Sequence, residues 1–212
     1  MTRVLLTGFG PFDGQTVNAS WLAVSEVASR WTGPAELVVR ELPVSFRSAR
    51  QQLRSAIAEV EPDLVVCVGE AGGTSAVRVE RVAVNVIDAR IPDVDGSAPI
   101  DVPVIAGAPA AFFSTLPVKA CASAVREAGV PVDVSNTAGL YVCNATFYAL
   151  QHLLAGRPDV RSGFVHVPRT PAQVTDGGPS LEVSDAATAL LAVLRAALST
   201  ATDLRVSAGT LA

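Results

Sequence analysis

Short apolar runs alternate along the chain with segments in which apolar residues recur at helical spacing. The clearest run, Asp63–Val68, is a nearly unbroken series of Val and Leu, which is typical of a strand covered on both faces of a sheet. Strands are predicted over Val4–Thr7, Glu36–Arg40, Asp63–Val68, Arg81–Ile87, near Val132 and over Gly163–His166. Helices are predicted over Ser20–Arg30, from a cap at Ser45 to about Val60, over Lys119–Ala128, from about Tyr141 and from about Ser184. This alternation predicts an α/β sandwich with a mostly parallel central sheet.

The domain organisation is simple. No repeat and no linker divides the chain, so residues 1–212 are expected to form one domain. The segment Asp88–Pro117 is rich in Pro, Gly and Asp and is too long for a plain connection. It is therefore expected to be an ordered functional or interface segment. The tail after Asp203 carries little signal.

Hydropathy and charge exclude several classes of protein. Half of the residues are apolar and the mean hydropathy is +0.40, but the longest uncharged stretch, Val102–Val118, is short and interrupted by prolines. No membrane helix is expected from it, and the apolar run at the N-terminus is too short for a signal peptide. The net charge of -4 shows no basic stripe, so nucleic acid is not an expected partner. Three cysteines without paired spacing favour neither disulfides nor a zinc site, and they indicate a reducing cytoplasm.

Cys143 is the strongest candidate for chemistry. It follows a polar turn containing Gly139 and lies near the predicted start of a helix. Unpaired N–H groups and the helix dipole favour a thiolate at such a position. Cys67 lies in an apolar strand and Cys121 on an apolar helix face, so both are interpreted as core residues.

A cysteine nucleophile needs a base, and the chain contains two histidines. His166 ends a predicted strand, from which an imidazole could reach a thiol at a helix start. His152 lies within a helix and is interpreted as a surface residue. Glu80, in an otherwise apolar stretch, is the best acidic candidate to orient the imidazole. An ion pair with a neighbouring arginine is the alternative interpretation of that carboxylate.

Two glycine-rich turns also follow predicted strands. Gly8–Phe12 does not fit the phosphate-binding pattern G-x-G-x-x-G because Asp13 takes the third glycine position, and its aromatic residues suggest walls of a small apolar pocket. Gly69–Gly73 is a turn that could offer backbone N–H groups to a ligand. Since parallel strands end at one edge of a sheet, both turns, Cys143 and His166 are expected to gather there.

Several motifs, in this order, resemble those of the cysteine-dependent pyroglutamyl peptidases of type I (pyrrolidone-carboxylate peptidases). The resemblance covers roughly Val4 to Gln173. The motifs are Thr7–Phe12, Val68–Gly73, Glu80–Asn85, Asp88–Asp93, Phe113–Lys119, Ser135–Gly139 with Tyr141–Asn144, and His166–Pro168. Each motif is weak alone, but their joint occurrence is specific.

The resemblance implies a mechanism and an assembly. Cys143 is expected to be the nucleophile, His166 the general base and acid, and Glu80 the group that orients His166. The expected reaction removes an N-terminal 5-oxoproline from peptides through a thioester, with no metal or cofactor. The family's fold is a three-layer α/β/α sandwich, and its members commonly form homotetramers.

The resemblance also implies a binding pocket for the small, flat, uncharged lactam. Asn18 is expected to hydrogen-bond the ring amide, and Arg90 is expected to support the N–H groups of the Cys143 helix as oxyanion donors. The expected walls of the pocket are Phe9, Phe12, Val44, Ile91, Tyr141 and Val142.

Glu70 departs from the family pattern, in which glutamine is usual. An ionised glutamate only accepts hydrogen bonds, so a donor to the lactam would be lost and Glu70→Gln would be expected to lower KM. Alternatively, Glu70 accepts the lactam N–H or turns toward an arginine. Further departures are Thr74 in place of arginine, Leu140 in place of threonine, and Arg169 after the His166 motif.

Two other functions stay open from the sequence. Glu70 would suit a catalytically weak relative that binds lactams or peptides without turnover. A nucleoside- or phosphate-binding α/β protein is disfavoured by the failed phosphate motifs and by the scarcity of lysine near the glycine-rich turns.

Overall fold

A six-stranded sheet forms the centre of the computed structural model, which describes residues 1–175 and 177–209. The strands of the protein are β1 Arg3–Phe9, β2 Glu36–Leu42, β3 Leu64–Ala71, β4 Val77–Glu80, β5 Val82–Val84, β6 Ala111–Phe113, β7 Val132–Ser135 and β8 Arg161–Pro168. The central sheet has the order β2-β1-β3-β8-β4-β7. Strands β2, β1, β3 and β8 are mutually parallel, whereas β4 and β7 run in the opposite direction. The predicted α/β fold with a mostly parallel sheet is confirmed.

Helices cover both faces of the sheet. They are α1 Ala19–Arg30, α2 Ser48–Val60, α3 Val118–Glu127, α4 Val142–Leu154 and α5 Val183–Ser199. Alternate strand residues point to opposite faces, so Leu6 packs with α1, α3 and α5, whereas Leu5 packs with α2 and α4. Each such leucine is fully buried, which stabilises the fold by about 1.5–3 kcal/mol. The result is a three-layer α/β/α sandwich.

The strand predicted over Arg81–Ile87 is wrong in its bounds. The chain instead forms β4 in the central sheet and then β5, which pairs with β6 in a separate two-stranded sheet. The change of sheet occurs at Arg81, whose N–H donates to Ser135 and whose carbonyl accepts from Ser114. Valines alternate within each strand, but Glu80 and Arg81 together separate Val79 from Val82, so the alternation shifts by one residue at the break.

The segment from Asp88 to Pro117 is held by side chains that bind its backbone. The amide of Asn85 donates to the carbonyls of Ile105 and Ala108, and the carboxylate of Asp93 accepts the N–H groups of Phe46, Asp95 and Ser97. These bonds order the part of the segment before β6, which forms no helix or extended strand.

No helix in the described part of the chain is long and apolar enough to cross a membrane.

Candidate active site

His166 and Glu80 form a buried pair across two neighbouring strands. Because β4 is antiparallel to β8, Arg78 lies opposite His166 and Glu80 lies opposite Phe164. Glu80 is therefore the diagonal neighbour of His166 on the same face, within reach of a long side chain. Oε1 of Glu80 lies 2.8 Å from Nδ1 of His166. The carboxylate thus orients the ring and leaves Nε2 free to face another group.

Cys143 is the second residue of α4 and lies over the carboxyl end of β3. The helix start is anchored by the next residue, Asn144, whose side chain accepts the N–H of Val84 and donates to the carbonyls of Val84 and Val86. Asn144 is fully buried, so these three bonds hold the beginning of α4 against the β5 segment. This anchor is not predicted by the local sequence, although Asn144 directly follows the cysteine.

The route by which Cys143 reaches the site differs from the expected one. The preceding strand, β7, runs opposite to β8 and ends level with Glu80 rather than at the carboxyl edge of the parallel strands. The loop over residues 136–141 then brings the chain to the start of α4. The turns after β1 and β3 do lie at the carboxyl edge of the parallel strands, as predicted.

Gly69 allows the thiol to approach the sheet. A methyl group at this position would lie 2.8 Å from Sγ of Cys143 and 2.9 Å from the ring of Phe164. Any side chain here would displace the thiol or the ring. The glycine is therefore required by close approach rather than by an unusual backbone angle.

Gly69→Ala is expected to lower kcat by about a hundredfold, because displacement of a reacting group by an ångström costs about that much. Steady-state kinetics would measure the loss, with Gly156→Ala as control, since a methyl group there meets nothing within 4 Å. An active Gly69→Ala enzyme would show that the thiol position is not critical.

The imidazole of His166 is buried between Cys143 and Glu80. Burial alone lowers its pKa, but the charge and hydrogen bond of a Cys143 thiolate, together with the hydrogen bond and charge of Glu80, raise the pKa to about 10. The imidazolium is retained at neutral pH, which favours a thiolate–imidazolium pair. Since this pKa exceeds the ordinary value of 6.5, the protonated His166 contributes stability that is fully present below pH 6.5 and is progressively lost as the pH rises to about 10.

The start of α4 also supplies hydrogen-bond donors. The first intrahelical bond runs from the N–H of Ala145 to the carbonyl of Tyr141, and no side chain caps the helix. The N–H groups at Val142, Cys143 and Asn144 precede that bond, so helix geometry gives them no intrahelical partner. They are placed to stabilise an oxyanion next to the thiol.

The other two thiols are unsuited to this chemistry. Cys67 and Cys121 have no exposed surface. Burial raises the pKa of each to about 12, against partly offsetting hydrogen bonds. Both are core residues, as the apolar surroundings in the sequence indicate.

A cavity of about 170 Å³ opens beside Cys143 and His166. Its remaining lining consists of Phe9, Phe12, Asn18, Val44, Glu70, Ala138, Tyr141 and Val142. All but Ala138 were singled out from the sequence. Ala138 lies in the loop between β7 and α4, and nothing in its residue type distinguishes it before the fold is known.

Aromatic rings brace one wall of the cavity. The ring of Tyr141 lies 6.2 Å from that of Phe12 and makes an edge contact at 5.1 Å with that of Phe46. The Tyr141 hydroxyl donates to the carbonyl of Pro92. Phe46 supports the wall from behind and was not predicted from the sequence.

Arg90 and Ile91 are not among the residues that line the cavity. They precede Pro92, which binds the hydroxyl end of Tyr141, so this segment reaches the outer end of the tyrosine. The Arg90 side chain is exposed, and its charge acts on Tyr141, where it opposes the burial that raises the pKa of the phenol to about 12. Ile91 is therefore not part of the wall that it was predicted to form, whereas support of the oxyanion donors by Arg90 stays a prediction.

Most of the hydrogen-bonding groups of the Asn18 side chain are already bound within the protein. Its Oδ1 accepts from the N–H and hydroxyl of Ser20 and so caps α1, while its Nδ2 donates to the carbonyl of Gly10. An amide nitrogen carries two hydrogens, so one N–H is left for a ligand in the cavity. Asn18 can thus serve as a donor, but its oxygen is occupied.

Glu70 turns toward an arginine, one of the alternatives open from the sequence. Oε1 accepts from Nε of Arg169 at 3.0 Å, and Oε2 accepts from the N–H of Ala19 and from Nε2 of Gln173. All three partners are donors, so a glutamine here would set its NH2 group against one of them. These contacts support the opposite of the expectation from the sequence, namely that Glu70→Gln raises KM.

A larger cavity, about 510 Å³, lies between α2 and α4 and contains neither Cys143 nor His166. His152 contributes to it and stacks on Phe112 with ring centroids 6.0 Å apart. The exposed His152 is a surface residue, as predicted, and it belongs to a different part of the molecule from the reactive thiol.

The site combines a thiol at a helix start with an imidazole that a buried carboxylate orients. Uncapped N–H groups lie beside the thiol. These features define the protein as a cysteine-type hydrolase built on an α/β/α sandwich. The sequence model of the pyroglutamyl peptidase family matches residues 2–202. The chain belongs to the pyroglutamyl peptidase family, and the resemblance seen in the motifs is confirmed.

Similar proteins agree with this assignment over their whole lengths. The pyrrolidone-carboxylate peptidase of Clavibacter michiganensis is 55% identical over 100% of both chains, and that of Streptomyces coelicolor is 53% identical over 99% of both. The crystal structure of pyroglutamyl peptidase I from Bacillus amyloliquefaciens has a TM-score of 0.94 at 39% identity, covering 97% of this chain and 99% of that chain. The pyrrolidone carboxyl peptidase of Thermococcus litoralis has a TM-score of 0.93 at 35% identity, covering 98% and 100%.

Proposed function

We propose that this protein hydrolyses the amide bond after an N-terminal pyroglutamyl residue, with Cys143 as nucleophile. The observation that carries the proposal is the pairing of Cys143 with His166 and Glu80 at the mouth of a small cavity with aromatic walls. Membership of the pyroglutamyl peptidase family supports the same reaction.

The cavity suits a small neutral ring. Its volume of about 170 Å³ is below the roughly 300–1,000 Å³ typical of sites for drug-sized ligands, so it encloses one ring and leaves the rest of a peptide outside. Phe9, Phe12 and Tyr141 offer apolar surface to the flat lactam, and the free N–H of Asn18 is placed to donate to its ring carbonyl. The charge of Glu70 is paired with Arg169 and does not demand a cationic substrate.

The reaction follows from the positions of these groups. The Cys143 thiolate attacks the pyroglutamyl carbonyl carbon, and the oxyanion is held by N–H groups at the start of α4. The imidazolium of His166 gives its proton to the departing amine as the C–N bond breaks, which leaves a thioester on Cys143. His166 then takes a proton from water, the resulting hydroxide attacks the thioester, and free pyroglutamate leaves with return of the thiolate pair.

Glu80→Gln is expected to lower kcat/KM on the order of a hundredfold. This is a smaller factor than the one expected for loss of His166, because an orienting group contributes less than the base. The charge and hydrogen bond of Glu80 raise the pKa of His166. Their loss lowers that pKa, so the alkaline fall of kcat/KM should begin at a lower pH in the variant. A pH–rate profile measures this shift.

Glu59→Gln is the matched control for this profile, because Glu59 makes an exposed ion pair with Arg40. An unchanged alkaline limb in Glu80→Gln would contradict the role of Glu80 in tuning His166.

Release of a fluorescent amine from a pyroglutamyl amide tests the proposed function. The matched prolyl amide lacks the ring carbonyl and is expected to be cleaved far more slowly, because Asn18 would lose its acceptor. Equal cleavage of both amides, or cleavage of neither, would refute the proposal. The alternative function, a protein that binds lactams without turnover, was suggested by the charge of Glu70. Arg169 neutralises that charge, so the observation no longer favours the alternative.

We further propose that the protein forms a homotetramer and acts in the cytoplasm. Exposed apolar side chains on or beside the segment Asp88–Pro117 support an interface there, and they include Val94, Ile100, Val102 and Phe113. A free thiol nucleophile suits a reducing compartment. Sedimentation equilibrium and cell fractionation measure the two properties.

A further inference from the structure

We propose that Arg169 is a positioning residue for lactam binding, acting through Glu70. Its guanidinium neutralises the Glu70 carboxylate from behind and holds it in the cavity wall, so that the wall carries no net charge where it faces the uncharged ring. This inference rests on the proposed function and identifies a residue outside the cavity lining that controls substrate affinity.

The first observation is that Glu70 is a buried carboxylate in the cavity wall. Its side chain is 4% exposed, whereas that of Arg169 is 32% exposed. Among the described residues, Arg169 is the cation with which Glu70 forms an ion pair. Without that charge, the carboxylate would be left buried with only neutral donors, an arrangement that is strongly unfavourable.

The second observation is that every hydrogen bond to Glu70 comes from a donor on a segment that builds the site. Ala19 is the first residue of α1 and follows Asn18, which lines the cavity. Gln173 belongs to the short 3-10 helix Pro171–Gln173 and also donates to the carbonyl of Val17. Glu70 therefore ties the end of β3 to the start of α1 and to the chain that follows β8.

The third observation is that packing restricts the position of the Arg169 side chain. It lies three residues after His166, directly beyond the end of β8. A methyl group at Gly72 would lie 3.3 Å from Nε of Arg169, so the guanidinium packs against the backbone of the turn after β3. Packing on that turn restricts the guanidinium, and its Nε donates to Oε1 of Glu70.

These contacts predict a specific pattern in four proteins. Arg169→Met removes the charge at similar length and should raise KM for a pyroglutamyl amide by about tenfold, with kcat changed by less than about threefold. Glu70→Gln should raise KM by several-fold, because one end of its amide turns NH2 toward a donor. The double variant has neither the carboxylate nor the guanidinium, so its KM should return to within about threefold of the wild-type value.

The test is a double-mutant cycle on the full-length enzyme, measured as KM and kcat for a pyroglutamyl amide and as Ki for 2-pyrrolidone, the lactam ring alone. Ki should follow KM across the cycle, because the effect lies in binding of the ring. Arg169→Lys keeps the charge and should bind better than Arg169→Met. Arg157→Met is the control, since Arg157 forms an exposed pair with Asp159 and should leave all constants unchanged.

An unchanged KM in Arg169→Met, or a double variant impaired by the product of the two single effects, would overturn the inference. If Arg169→Met does not fold, the double variant and Arg169→Lys carry the test. A KM near the wild-type value in the double variant, with a raised KM in Arg169→Lys, supports the inference, and a raised KM in the double variant overturns it. Failure of the proposed function is distinct, because the wild-type enzyme would then not cleave the pyroglutamyl amide at all.

Discussion

Cys143→Ser is expected to lower kcat/KM by about a thousandfold or more, with the fold unchanged. Serine is nearly isosteric, but its hydroxyl does not ionise beside His166 as the thiol does, so the nucleophile is lost. Knocking out a nucleophile that acts as a unit with its base has effects of this size or larger. Amine release from a pyroglutamyl amide measures the activity, and circular dichroism checks the fold.

Cys121→Ser is the matched control for this variant. Cys121 is fully buried in the core and does not line the cavity beside His166, so its sulfur takes no part in the reaction. Activity should stay near the wild-type level. Retained activity in Cys143→Ser would mean that another group attacks the substrate.

His166→Ala is expected to have an effect of similar size, about a thousandfold or more on kcat, because it removes both the base and the proton donor to the leaving amine. It should also destabilise the fold by about 3–5 kcal/mol, since Glu80 has no exposed surface and would lose its charged partner. Single-turnover kinetics and thermal unfolding measure the two effects.

His152→Ala is the control for His166→Ala, because it removes the other histidine of the chain. His152 lies in the other cavity and stacks on Phe112, so its removal should leave kcat/KM nearly unchanged. If His152 proves essential and His166 dispensable, the assignment of the base is wrong.

The strands and helices could be predicted because their periodicity is local. The buried run at Asp63–Val68 and the helical spacing after Ser184 appear in the structure as β3 and α5 with small changes in their bounds. The direction of β4 could not be predicted, since the spacing of valines from Val77 to Val84 does not show which strand β4 pairs with. Only pairing with β8, more than eighty residues away, decides where one sheet ends and the next begins.

The candidate site shows the same division between local and distant information. Cys143 could be identified as a candidate because the residues next to it predict a turn and the start of a helix. The contact of Gly69 with the thiol and the pairing of Arg169 with Glu70, 99 residues apart, depend on segments that meet only after folding. Glu80 was open to two interpretations because its partner, His166, lies 86 residues away.

Alkylation of Cys143, followed by mass spectrometry and activity on a pyroglutamyl amide in the same samples, tests the central claim most directly. Iodoacetamide should modify Cys143 much faster than Cys67 or Cys121, since burial raises the pKa of both other thiols to about 12. Activity should fall in proportion to the modified fraction of Cys143, and 2-pyrrolidone in the cavity should slow both changes equally. Activity that survives complete alkylation of Cys143 would contradict its role as the nucleophile.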